Sequence, residues 1–241
     1  MNEFEILQET PQSLEVPNEV QEFEEDKGLI REMFESISEF FKELYETVAD
    51  FFTDSKQVTD EEFEKLGEEL NEAREFGINE CTDAAIRIFT PEVIENWGNM
   101  TIDQRRELAE EYAAEVAKAF DLELYTGTIF EPLQEGLLGY NNGDGSIHLT
   151  DQLLAAWNSP LQIIDTITHE LRHQYQQECI NGYHDVPDSV REEWAVADTI
   201  YNYDQPSCYD PWGYQFNPLE LDSRYAGETV VRNISNLILT N

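Results

Sequence analysis

Between Leu161 and Glu178 the chain reads LQIIDTITHELRHQYQQE, with Ile163, Ile164, Ile167, Leu171 and Tyr175 recurring at helical spacing. A segment patterned this way must bury one side against a core. Four helical residues advance by about 400°, so His169 and His173 stand one turn apart on one face. Two imidazoles so placed can reach one divalent ion at about 2.0–2.1 Å each. Glu170 lies about 100° round the helix. From there it cannot easily ligate the same ion, but it can hydrogen-bond a water held by that ion. This HExxH pattern is the arrangement for a metal-activated hydrolytic water with Glu170 as general base.

A catalytic zinc needs a third protein ligand and an open position. The longer pattern HExxHxxGxxH fails, because Gln176 stands where its Gly belongs and Cys179 where its His belongs. His184 lies in a loop flanked by Gly and Pro. Glu220 is the better candidate. Pro218 opens a helix at its first turn, and Glu220 then sits in that turn, able to point back at the metal. The 51 residues from His169 to Glu220 are enough to leave the motif helix, form another and return.

The rest of the chain sets the fold class. Residues 1–27 carry Pro11, Pro17 and many Glu without periodicity, and read as disordered. From Leu29 to Phe52 one apolar stripe at helical period predicts an amphipathic helix. Its polar face is acidic, whereas interfacial helices carry Lys/Arg there, so packing on its own protein is favoured over membrane docking. A linker follows, then an acidic helix at about 61–75. Thr90-Pro91 starts a short helix through Trp97, and Thr101 with Gln104 has the form of a capping box opening a helix with Leu108, Tyr112, Val116 and Phe120 on one face. Alternation from Leu122 predicts a strand running to about Phe130. Gly136–Tyr140 and Ser146–Thr150 flank Asn141-Asn142-Gly143-Asp144-Gly145 as a hairpin. Two more helices are predicted at about 188–203 and 218–237. Helices with three short strands make an α+β layout. The expected organisation is a disordered acidic segment at 1–27, an acidic helical arm and linker at 28–79, and a catalytic-type domain at 80–241.

Charge narrows the function. The chain has 52 Asp/Glu and 14 Lys/Arg, a net −38. Residues 1–80 hold 25 acidic and 6 basic residues, and residues 81–241 hold 27 and 8, so the N-terminal third is about twice as dense in negative charge. Such a chain is not expected to bind nucleic acid through phosphates or an anionic leaflet by charge. No signal-peptide pattern or apolar run of spanning length is visible. Cys81, Cys179 and Cys208 form no metal or disulfide motif, and a cytoplasmic location is the default expectation, with export by another route left open.

HELRHQYQ followed by NPLELDSRYA resembles small bacterial zinc metallopeptidases of the gluzincin group of zincins, over roughly residues 100–236. The resemblance implies a zincin-like domain, one Zn2+ per chain held by His169, His173 and Glu220, and Glu170 as catalytic base. It also implies a strand antiparallel to bound substrate at the upper edge of the cleft. The strand nearest the motif helix is Gly145–Thr150, so Ser146, Ile147 and His148 are expected to bind an extended peptide by adding a strand. One departure is Arg224, four residues after Glu220, where thermolysin-like members place an Asp that orients a ligand histidine. Asp222, Asp198 or a backbone carbonyl are the candidates for that role. Tyr214, Tyr225, His184 and Arg224 are candidates for stabilising the oxyanion.

The expectation is therefore a zinc-dependent peptidase acting on peptide or protein substrates. The alternatives are a catalytically silent zinc-binding module whose acidic arm engages a basic partner, and a metallopeptidase effector of a delivered bacterial toxin. The arm could also be an inhibitory pro-segment lying over the cleft.

Overall fold

Ser159 and Pro160 start the motif helix. The Ser159 hydroxyl accepts from the Leu161 N–H at 3.2 Å, and proline occupies the first turn, where no N–H is needed. The computed structural model describes residues 60–201 and 217–240. Its elements run α1 Asp60–Glu75, α2 Ile78–Ile88, α3 Pro91–Asn96, a 3-10 turn Trp97–Asn99, α4 Ile102–Ala119, β1 Gly127–Glu131, β2 Gly139–Asn141, β3 Ser146–Thr150, a 3-10 turn Asp151–Leu154, α5 Pro160–Ile180, α6 Asp188–Tyr201 and α7 Pro218–Thr240. The fold is α+β: helices around a small mixed sheet. No described helix is long and apolar enough to cross a membrane.

Helix α5 is the central element and packs on α4, α6, α7, β2 and β3. Ile163, Ile164, Ile167 and Leu171 are fully buried, as their spacing predicts. Helix α4 opens with the capping box: Gln104 N–H donates to Thr101 Oγ1 at 3.2 Å, and Thr101 N–H donates to Gln104 Oε1 at 2.9 Å. Its buried Tyr112 hydroxyl lies 2.7 Å from Thr168 Oγ1 on α5, and Phe89 packs edge-on against the Tyr112 ring.

The sheet has the order β1-β3-β2, with β1 parallel and β2 antiparallel to β3. The hairpin forms, with its first strand at Gly139–Asn141 in place of the expected Gly136–Tyr140. Gly145 takes φ 91° in its turn, and a Cβ there would stand 2.0 Å from the Leu124 carbonyl oxygen, so only glycine fits. Leu122–Thr126 is not strand. The buried Glu178 carboxylate accepts from the Glu123 and Leu124 N–H groups at 2.9 and 3.1 Å, tying that stretch to α5 instead of a ladder. The expected strand begins only at Gly127.

The chain divides at Asp60/Glu61. Residues 61–79, which composition assigned to the arm, belong to the same compact unit as α5. The cause is a buried cation: Arg172 donates to the Ala73 carbonyl at 2.7 Å and the Phe76 carbonyl at 3.2 Å, and the Phe76 ring stacks on Tyr175. The expected segments 1–27 and 29–52, together with Cys208, Trp212 and Tyr214, lie outside the described residues. Cys81 and Cys179 are buried free thiols.

Candidate metal centre

Two local structures aim the donors. On α5, His169 and His173 fall on the face turned to α7, their rings edge-to-face at 4.7 Å. On α7, Asn217 Oδ1 accepts from the Leu219 N–H at 2.9 Å and Pro218 follows, so Glu220 falls in the first turn. The two helices bring the three side chains together. The two Nε2 atoms lie 3.1 Å apart, and Glu220 places Oε1 3.2 Å from His173 Nε2 and Oε2 3.4 Å from His169 Nε2. One donor atom from each lies within 4.8 Å of the others. Ligands about 2.0–2.1 Å from a tetrahedral ion stand about 3.3 Å from one another. The observed separations of 3.1–3.4 Å match that triangle. Two imidazoles and a carboxylate are also a donor set suited to zinc.

The electrostatics favour a cation at this point. Burial would raise the Glu220 carboxyl, but His173 and His169 outweigh it and hold the group well below the usual carboxylate range. Burial would lower the His173 imidazolium, but Glu220 outweighs it and keeps the ring charged up to about pH 9. Glu170 is also buried, and that burial raises its carboxyl, with the imidazoles opposing and Glu220 adding.

The outer partners of His173 differ from those expected. Its Nδ1 lies 3.1 Å from Gln176 Oε1 and 3.2 Å from Ser223 Oγ. Gln176 is oriented by its other end, where Nε2 donates to the Leu219 carbonyl at 3.0 Å and Asp222 Oδ2 at 2.7 Å. Both of those are acceptors, so Oε1 faces His173 and accepts its Nδ1 proton. That tautomer leaves the Nε2 lone pair open to a metal ion. Asp222 is occupied elsewhere: Arg172 donates Nε and Nη2 to its two oxygens at 2.7 and 3.2 Å. Asp198 accepts from Gln177. The Arg172 guanidinium is fully buried and also lies over the Phe120, Tyr175 and Trp194 rings. Gln176, Ser223 and Arg172 are the site residues that sequence reading missed. The Arg within HELRH, beside an otherwise apolar face, was the available signal.

The expected peptide-binding strand is corrected by the sheet order. Strand β3 is central, with β1 and β2 on its two sides, so it has no edge to offer a peptide. Ile147 is buried against the helices, while Ser146 and His148 are engaged in a network on the other face. His148 Nδ1 meets Glu131 Oε1 at 2.7 Å and its Nε2 meets Ser146 Oγ at 3.2 Å. Ser146 Oγ donates to Asp144 at 2.6 Å, and Tyr140 stacks on the His148 ring.

The edge near the cluster is β2. The Leu138 carbonyl accepts from the Thr150 N–H at 2.8 Å, so alternation turns the N–H and C=O of Gly139 and Asn141 away from β3. Gly139 also lies against Glu170: a Cβ there would stand 3.1 Å from Glu170 Cγ and 2.8 Å from Leu149 Cδ2. Asn141 Nδ2 donates to the Glu170 carbonyl at 3.4 Å.

The other candidates are committed elsewhere. The Tyr225 hydroxyl donates to Glu75 and Arg74 lies over its ring; five residues past Glu220, it faces round α7 from that carboxylate. His184 meets Glu178 at 3.1 Å, and Arg224 Nε donates to the Glu220 carbonyl at 3.3 Å. Comparison of the chain with protein-family models, with curated proteins and with solved structures found no match in any of the three.

Proposed function

We propose that this protein is a zinc-dependent peptidase with a zincin-like catalytic unit. The observation that carries the reading is the convergence of His169, His173 and Glu220 at ligand spacing, with Glu170 buried beside them. When bound, Zn2+ lowers the pKa of a coordinated water and polarises a carbonyl. Glu170 takes the proton of the attacking water and delivers it to the leaving amine nitrogen. Its burial suits this work, because a carboxylate with a raised pKa is the stronger base. The outward N–H and C=O groups of Gly139 and Asn141 are fitted to hold an extended peptide by strand addition, close to Glu170. The acidic surface favours neutral or basic peptides.

The test is metal analysis and peptide-library cleavage with wild type, His169→Ala, Glu220→Ala and Glu170→Gln. The reading expects one zinc per wild-type chain, loss of zinc in the first two variants, and retained zinc with cleavage abolished in the third. Unchanged turnover by Glu170→Gln would sink the mechanism.

A further inference from the structure

Two groups on one face of α5 lack partners, and each offers what the other needs. His169 turns its Nε2 toward His173 and Glu220, while its Nδ1 makes no hydrogen bond among the described residues. One turn earlier, the partly buried Asp165 makes no hydrogen bond or ion pair among the described residues. Side chains four apart on a helix have Cβ atoms about 5–6 Å from each other. A helical side chain leans toward the N-terminus, which carries the His169 ring toward Asp165. Helix α7 closes the far side. A Cβ on Gly227 would stand 2.3 Å from Asp165 Oδ1, so only glycine leaves room for this carboxylate between the helices. Burial and the neighbouring Glu228 disfavour its charge, and His169 is the one group that favours it.

A ligand histidine ordinarily donates its second ring N–H to an acceptor that fixes tautomer and orientation. His173 has that acceptor in Gln176. We propose that Asp165 is the positioning residue of His169. It accepts the Nδ1 proton, leaves the Nε2 lone pair for the metal, and makes this imidazole the more basic of the two ligands. The proposal rests on the metal-site reading above. It gives the two histidines different outer partners, a carboxylate for one and a neutral amide for the other. It also fills from within the motif helix the role that Arg224 cannot fill from α7.

The experiment measures the zinc Kd by chelator competition for wild type, Asp165→Ala, Asp165→Asn and His169→Ala, beside the melting temperature of each metal-free protein. Nitrogen-detected NMR of the zinc-loaded chain reads the His169 Nδ1–H. Asp165→Ala is expected to weaken zinc binding about 10–100-fold. Asp165→Asn should fall between, because an amide oxygen still accepts. Metal-free melting reads any folding defect separately from the loss of zinc affinity. The Nδ1–H resonance should shift in both variants. A zinc Kd for Asp165→Ala within twofold of wild type, or an unshifted resonance, would overturn the proposal and leave the metal site standing. Wild-type zinc affinity in His169→Ala would overturn both.

Discussion

The Gln176 amide oxygen lies 3.1 Å from Nδ1 of His173, and the same amide is pinned from behind by Asp222 and the Leu219 carbonyl. Gln176→Ala should therefore weaken zinc binding by about 10-fold or more, the usual effect of losing a ligand's outer partner. Gln176→Glu would bring a carboxylate within reach of Asp222, setting two negative groups against each other. It should both lower metal-free stability and perturb zinc binding. Chelator competition and thermal melting separate the two effects.

Gly139 leaves its side-chain space to Glu170 and Leu149. In Gly139→Ala the new methyl must displace the Glu170 side chain, the Leu149 side chain or the edge of β2. The expected result is a kcat reduced by about 10-fold or more, because a catalytic group displaced by about 1 Å can cost on the order of 100-fold. Zinc content should not change, since the atoms nearest a Cβ at Gly139 belong to Leu149, Glu170 and His148 and not to His169, His173 or Glu220. Steady-state kinetics beside metal analysis checks this, and a simultaneous loss of zinc would contradict it.

Arg172 is buried and bound to Asp222, to the Ala73 and Phe76 carbonyls and against three aromatic rings. Arg172→Met leaves the buried Asp222 with only the longer Arg74 contact at 3.7 Å as a cationic partner, and breaking a buried pair in this way costs about 3–5 kcal/mol. Arg172→Lys should recover little, because an ammonium cannot reproduce the planar fork. Urea unfolding of the metal-free chain measures both. A loss below about 1 kcal/mol for Arg172→Met would refute the assignment of Arg172 as the lock between α1, α5 and α7.

The metal-free protein should lose stability as pH rises. His173 has its pKa raised from 6.5 to about 9 in the fold. Its charged form therefore contributes fully below pH 6.5, and that contribution is lost as pH passes through about 9. Glu220 is depressed, so its contribution is present above its unfolded value of 4.5 and is lost only in strong acid. The fall in melting temperature between pH 6.5 and 9 should be smaller in His173→Ala. Zinc affinity should rise over the same interval, because binding displaces the His173 proton.

What lies within one or two turns of a helix follows from local chemistry. The apolar spacing of Ile163, Ile167 and Leu171 fixes the buried side of α5, and with it the shared face of His169 and His173. Asn217 and Pro218 fix the start of α7, and so place Glu220 in its first turn. Thr101 and Gln104 open α4 by the same local chemistry. Whatever depends on which elements meet came from long-range packing. It brought Glu220 to 3.2–3.4 Å from the histidines across 51 residues of chain. It put β3 inside the sheet and left β2 at the edge, because strand order follows long-range pairing that alternation does not encode. It also gave Asp222 to Arg172 and left His173 to Gln176. A buried guanidinium needs a carboxylate more than an imidazole that an amide can hold.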